Sequence, residues 1–102
     1  MKLIRLAVKR LTAPVVSRWL RAAGHRPWNP RHDQAGFIVS KFASTEVLVF
    51  YATAPDDEPA SLEERPVALA RYGATLLGHG CESTLTMYPD HSGCLTVRRG
   101  GR

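Results

Sequence analysis

One stretch limits what this chain can fold into more than any other: Gly36 to Thr53, GFIVSKFASTEVLVFYAT. Phe37, Val39 and Lys41 alternate with Ile38, Ser40 and Phe42. After Ala43-Ser44-Thr45, Val47, Val49 and Tyr51 alternate with Leu48, Phe50 and Ala52. A period of two, built from β-branched and aromatic residues, marks two strands joined by a short turn. The second strand is apolar on both faces, as a central strand is. A buried helix is disfavoured by the Val, Phe and Tyr content and by Gly36 and Pro55 at the flanks.

The flanking segments read as cover for this hairpin. Pro14 suits a first helical turn with Thr12 or Ala13 at the cap. Val15, Val16, Trp19, Leu20 and Ala23 then form an apolar face, and Gly24 ends the helix. His25 to Ala35 is a loop broken by Pro27 and Pro30, from which Trp28 is expected to fold back onto the core. Beyond the hairpin, Pro55 to Pro59 is acidic, and Ser61 with Glu64 makes a capping box. A second helix follows over about Leu62 to Leu77, with Val67, Leu69, Ala70, Tyr72, Leu76 and Leu77 directed inward and a bend near Pro66. Strands 82–88 and 94–99 then flank Pro89-Asp90-His91-Ser92-Gly93 as a second hairpin, with Cys94 opposite Met87. Residues 100–102 form a frayed basic tail.

Residues 1–11 carry two patterns. As a helix, Leu3, Ile4, Ala7, Val8 and Leu11 share a stripe opposite Lys2, Arg5 and Lys9; as a strand, Ile4, Leu6 and Val8 alternate with Arg5, Ala7 and Lys9. The helical pattern accounts for more residues and defines a short basic amphipathic N-terminal segment.

The 102 residues form one domain, 1–102, with room for one modest core. The order helix, strand, strand, helix, strand, strand is an α+β fold: a four-stranded antiparallel sheet with both helices on one face. The halves echo each other weakly, as an internal duplication would. Each has a helix ending in Gly-His (Gly24-His25, Gly78-His79) and a glycine opening an apolar strand (Gly36, Gly93). Val47, Val49 and Tyr51, if they point away from the helices, make an apolar sheet surface for a homodimer.

An apolar content of 44% beside 23% charged residues is that of a folded globular chain. No run reaches the ~20 apolar residues of a membrane-spanning helix, and Arg5, Lys9 and Arg10 interrupt any signal-peptide core. A cytoplasmic location is the expectation. The net charge of +5 is unevenly spread. Residues 1–32 hold eight Lys/Arg and no acid, 33–64 hold seven acids and Lys41, and 65–102 hold five Arg against Glu82 and Asp90. Such segregation suits nucleic acid, an acidic protein or an anionic membrane.

The chemistry is sparse. His79, Cys81, His91 and Cys94 could suggest zinc, but a seven-residue strand sets the first pair about 20 Å from His91. Neither a metal nor a Cys81–Cys94 disulfide is expected. There is no glycine-rich phosphate loop, nucleophile elbow or paired-carboxylate spacing, so no cofactor and no enzymatic activity are expected. His25 and His79 stand where they can meet the last helical carbonyls. The candidate nucleic-acid contacts are Lys2, Arg5, Lys9, Arg10, Arg18, Arg21, Arg26 and Arg31, with Arg98 and Arg99 near the C-terminus and Trp28 among the loop arginines, since arginines hold phosphate while an aromatic stacks a base. The sequence thus reads as a small binding or regulatory protein that contacts nucleic acid through its basic N-terminal third. The alternative is a protein-interaction module, dimerising or docking an acidic or basic partner, with no nucleic-acid role.

Overall fold

The hairpin of residues 36–53 is present in the computed structural model, which describes residues 10–54 and 64–100. The elements are α1 (Ala13–Ala22), a single 3-10 turn (Pro30–His32), β1 (Gly36–Ala43), β2 (Glu46–Ala52), α2 (Glu64–Leu77), β3 (Cys81–Met87) and β4 (Gly93–Arg99). The strands form one antiparallel sheet in the order β1-β2-β4-β3. Among the described residues no helix is long and apolar enough to cross a membrane. The N-terminal segment through Lys9, the capping-box Ser61, the acidic loop 55–59 and residues 101–102 lie outside the described residues.

Pairing shows which side of the sheet is inward. Phe37 stands opposite Tyr51, Val39 opposite Val49, Val47 opposite Val97, and Val49 opposite Leu95. Paired residues share a face, and this face packs on Val16 and Leu20 of α1 and on Leu69, Tyr72 and Leu76 of α2. Both helices therefore cover one side of the sheet, α1 touching β1 and α2 lying chiefly over β3. Val47 and Val49 are completely buried. They are the centre of the core, so the apolar homodimer surface that depended on their pointing outward is not there. The face without helices carries Ile38, Leu48, Phe50 and Thr96, each half-buried.

Local chemistry explains most boundaries. The Thr12 hydroxyl accepts from Val15 N at 3.4 Å, Pro14 sits in the first turn of α1, and Gly24 takes φ +95° beyond its end. The β1–β2 turn is Ser44-Thr45, with the register shifting between Lys41 and Ala43; this bulge leaves Phe42 60% exposed. Pro66 falls in the first described turn of α2.

Two expectations need correction. The second hairpin is shifted by one residue: β4 begins at Gly93, and Cys94 faces Thr86 while Gly93 faces Met87. The connection is Tyr88–Ser92, closed by Tyr88 N donating to Ser92 O at 2.8 Å and by Asp90 Oδ1 accepting from Ser92 N and Oγ. The second correction concerns α2. Leu69, Tyr72 and Leu76 are buried, but Val67, Ala70 and Leu77 are exposed, Leu77 to 69%. A straight helix on a one-sided sheet buries a single stripe, and the sequence offers two.

The repeated topology is visible in space. Helix–strand–strand occurs twice, and the second strand of each unit (β2, β4) meets its counterpart antiparallel at the middle of the sheet.

Candidate nucleic-acid interface

The described part of the basic third, from Arg10 on, lies against β1 through α1 and the connection that follows it. On α1, Arg18 and Arg21 are three residues apart and share one side, turned away from buried Val16 and Leu20. Arg10 precedes the helix; Arg26 and Arg31 lie in the connection to β1, and all five arginines are exposed. Across residues 10–35 they face one acid, Asp33. Lys2, Arg5 and Lys9 lie outside the described residues.

The connection is tied to the sheet rather than hanging from it. Phe37 N donates to Arg26 O at 3.0 Å and Trp28 N donates to Phe37 O at 2.9 Å, so residues 26–28 run parallel to the start of β1. Gly36 makes this approach feasible, since a Cβ there would lie 2.1 Å from Arg26 O. A second ring of bonds, Asn29 N and Gln34 N with each other's carbonyls, closes the 3-10 turn. Gln34 Nε2 donates to Pro27 O at 2.6 Å.

Trp28 is the aromatic of this edge. Its Nε1 donates to Thr53 O at 3.0 Å, fixing the ring, and 36% of the residue remains exposed. It does not enter the core. With Pro27 it forms one wall of an open groove of about 330 Å³ whose other wall is Ala13, Pro14 and Ser17 of α1.

The C-terminal pair is split, because successive strand residues point to opposite faces. Arg98 lies on the face without helices, where its Nη2 approaches Glu82 Oε1 at 3.3 Å. Arg99 turns under α1 with its guanidinium carbon 5.1 Å from the Trp19 ring centre, and its Nε is buried without a hydrogen-bond partner among the described residues. The imidazole of His79 stacks on the same indole at 4.4 Å and 9°. Arg99 is thereby engaged in packing, whereas Arg18, Arg21, Arg26 and Arg31 are available to a ligand.

A second polar cluster has no counterpart in the sequence reading. His25, Tyr51, Glu64, Arg71 and Tyr72 line a cleft of about 440 Å³. The Tyr51 hydroxyl donates to Glu64 Oε2 at 2.7 Å. Burial and that bond push Tyr51 up to about 12, and burial alone pushes Tyr72 to about 12, so both stay neutral phenols in neutral solution. Burial, with the Arg71 charge nearby, lowers His25, leaving a neutral imidazole. A hydrogen bond of 2.8 Å joins His25 Nε2 to Thr75 Oγ1, and the ring meets Tyr72 edge-on at 5.1 Å. Packing of α2 on the sheet and against the end of α1 brings positions 25, 51 and 72 together, so no spacing could have revealed them. The two histidines also depart from their expected role. Instead of capping its own helix, each side chain reaches the other one, His25 to α2 and His79 to Trp19 of α1.

Cys81 is buried and its thiol is pushed up by burial, against an opposing effect of Arg99. Both cysteines are free. Among the described residues no group of three His, Cys, Asp or Glu is placed to hold a metal. The chain matches no protein-family model, no curated protein and no solved structure.

Proposed function

We propose that this is a small binding protein that takes nucleic acid on its β1 edge, with Arg18, Arg21, Arg26 and Arg31 neutralising phosphates and Trp28 offering a base-stacking surface. The observation that carries this reading is Trp28. A solvent-facing indole, held by its own N–H to a backbone carbonyl, sits in a groove wall within a stretch, residues 10–35, that holds five exposed arginines and one acid. Fixing the ring beforehand lowers the ordering cost of stacking. Base–aromatic stacking is tolerant of sequence, so the ligand class is a single strand or an unpaired end rather than a specific duplex site. The groove supplies shape and a stacking plane.

Fluorescently labelled single-stranded and duplex DNA, titrated at rising salt, test the reading. Single-strand binding follows a slope of about −0.7 per neutralised phosphate in log–log form, against about −0.9 for a duplex. Trp28→Ala weakens single-strand binding by about 1–3 kcal/mol, and Arg18→Ala with Arg21→Ala flattens the salt slope. No binding at low salt, or binding indifferent to Trp28 and to both arginines, overturns it.

A further inference from the structure

The two edges of the sheet are not alike. β1 carries Lys41 and a bulge at its far end, and residues 26–28 cover its start. These are the usual devices that stop an edge strand from recruiting another. Among the described residues β3 has none of them. Its seven residues contain no lysine or proline, its ladder to β4 runs without a shift, and its one charge, Glu82, is bonded to Arg98.

Above this bare edge lies the second apolar stripe of α2. Ala70, Ala74 and Leu77 follow one another at four and three residues and all are exposed, Leu77 to 69%, while Val67, 48% exposed, borders the His25 cleft. That spacing makes a helix-pairing seam. An open groove of about 550 Å³ separates α2 from β3, with Ala70, Ala74, Leu77 and Leu85 among its walls.

We infer that two copies of the chain associate here, β3 pairing antiparallel with its counterpart about a two-fold axis normal to the sheet while the α2 stripes pack on each other. Three observations single out a second copy. One is symmetry. A Cβ on Gly73 would lie 3.0 Å from Ser83 Oγ, so the middle of the stripe, between Ala70 and Ala74, stands over the middle of β3 at Thr84. A single axis therefore serves strand and helix together, as an isologous contact requires. Another is charge. A chain of net charge +5 repels itself, but β3 and residues 70–77 carry only Arg71 and Glu82, the latter paired with Arg98. The last is area. Seven strand residues span about 23 Å, and a helix layer on a sheet layer stands about 20 Å high, giving roughly 450 Å² on each copy. Two such faces approach the ~1,000 Å² that marks a specific contact, so the dimer is a reversible, concentration-dependent one. Pairing continues the sheet to eight strands with all four helices on one side. The β1 edges stay free at its two ends, and the inference does not depend on what binds there.

Light scattering across a concentration series tests it. The wild-type chain moves from one chain mass to two as concentration rises into the hundreds of micromolar, and Ala74→Arg with Leu77→Lys holds it at one. Both positions are exposed, so the variant keeps its circular dichroism and melting temperature. Hydrogen exchange at low and high concentration then reports the location: protection of residues 81–87 grows with concentration and that of residues 36–43 does not. A wild-type chain that stays monomeric throughout overturns the inference, as does a dimer indifferent to the two substitutions or protected elsewhere.

Discussion

Replacing Gly36 by alanine tests how the candidate interface is held to the fold. The added carbon would stand 2.1 Å from Arg26 O and 2.6 Å from the carbonyl carbon of Pro27. Non-bonded carbons rest at about 3.5–4.0 Å, and both neighbours are backbone, so rotating a side chain cannot relieve the overlap. Residues 26–28 must lift off β1. That lift costs the two backbone bonds of Phe37, to Arg26 O and from Trp28 N, each contributing about 1 kcal/mol net. It also opens one side of Phe37, now 3% exposed, and pulls the indole of Trp28 from Thr53 O. The total is about 2–4 kcal/mol, read as a lower urea midpoint by circular dichroism at unchanged m. Gly24→Ala is the control: at φ +95° with no atom within 4 Å of the added carbon, it meets only left-handed backbone strain, about 1 kcal/mol. If Trp28 must be held to stack a base, Gly36→Ala also weakens single-strand binding as much as Trp28→Ala does. Equal stability of Gly36→Ala and wild type would refute the argument, since the connection would then not be clamped where Phe37 meets it.

Two further outcomes follow from half-buried His25 and buried Cys81. Burial and Arg71 lower His25 below its ordinary 6.5, so the unfolded chain binds a proton that the folded chain resists. Stability is full above pH 6.5 and declines as pH falls below it; the melting temperature drops from pH 7 to 5, and His25→Gln, which loses the Thr75 bond at every pH, shows a smaller drop over that interval. In the native protein a thiol reagent labels Cys94, which is half-buried, well before Cys81, which is 1% exposed with its thiol pushed up by burial; equal rates would contradict the core placement of Cys81.

How far the sequence revealed the fold depended on whether a pattern had one solution or two. The alternation through 36–53 has one, so both strands fall where it placed them. The same hairpin is apolar on both faces, and nothing local says whether Val47 and Val49 or Leu48 and Phe50 turn inward; that is decided by where Val16, Leu20, Leu69 and Leu76 arrive. α2 presents the same difficulty. Leu69, Tyr72 and Leu76 form one stripe and Val67, Ala70 and Leu77 another, and reading them as a single face hid the second stripe. The site was legible in part. The basic bias and Trp28 are sequence facts, but the clamp on residues 26–28 depends on a glycine 36 residues into the chain meeting a carbonyl ten residues earlier. Arg98 and Arg99 looked alike until strand geometry sent one to Glu82 and the other to Trp19.

The two helix–strand–strand units differ most in the connection between helix and first strand, and that difference divides the molecule. In the first unit it runs from His25 to Ala35, long enough to fold along β1, shield its edge and present arginines and an indole. In the second it is short, a tight descent through Gly80 at φ +81° from α2 into β3, and this connection leaves no residue over to cover the strand. The same plan thus yields one edge dressed for a ligand and one left open for pairing. A graft makes the point testable: inserting residues 25–35 in place of His79-Gly80 should cover β3 and hold the chain at one copy, whereas dimerisation that survives such a cover would mean the bare strand edge is not what draws the copies together.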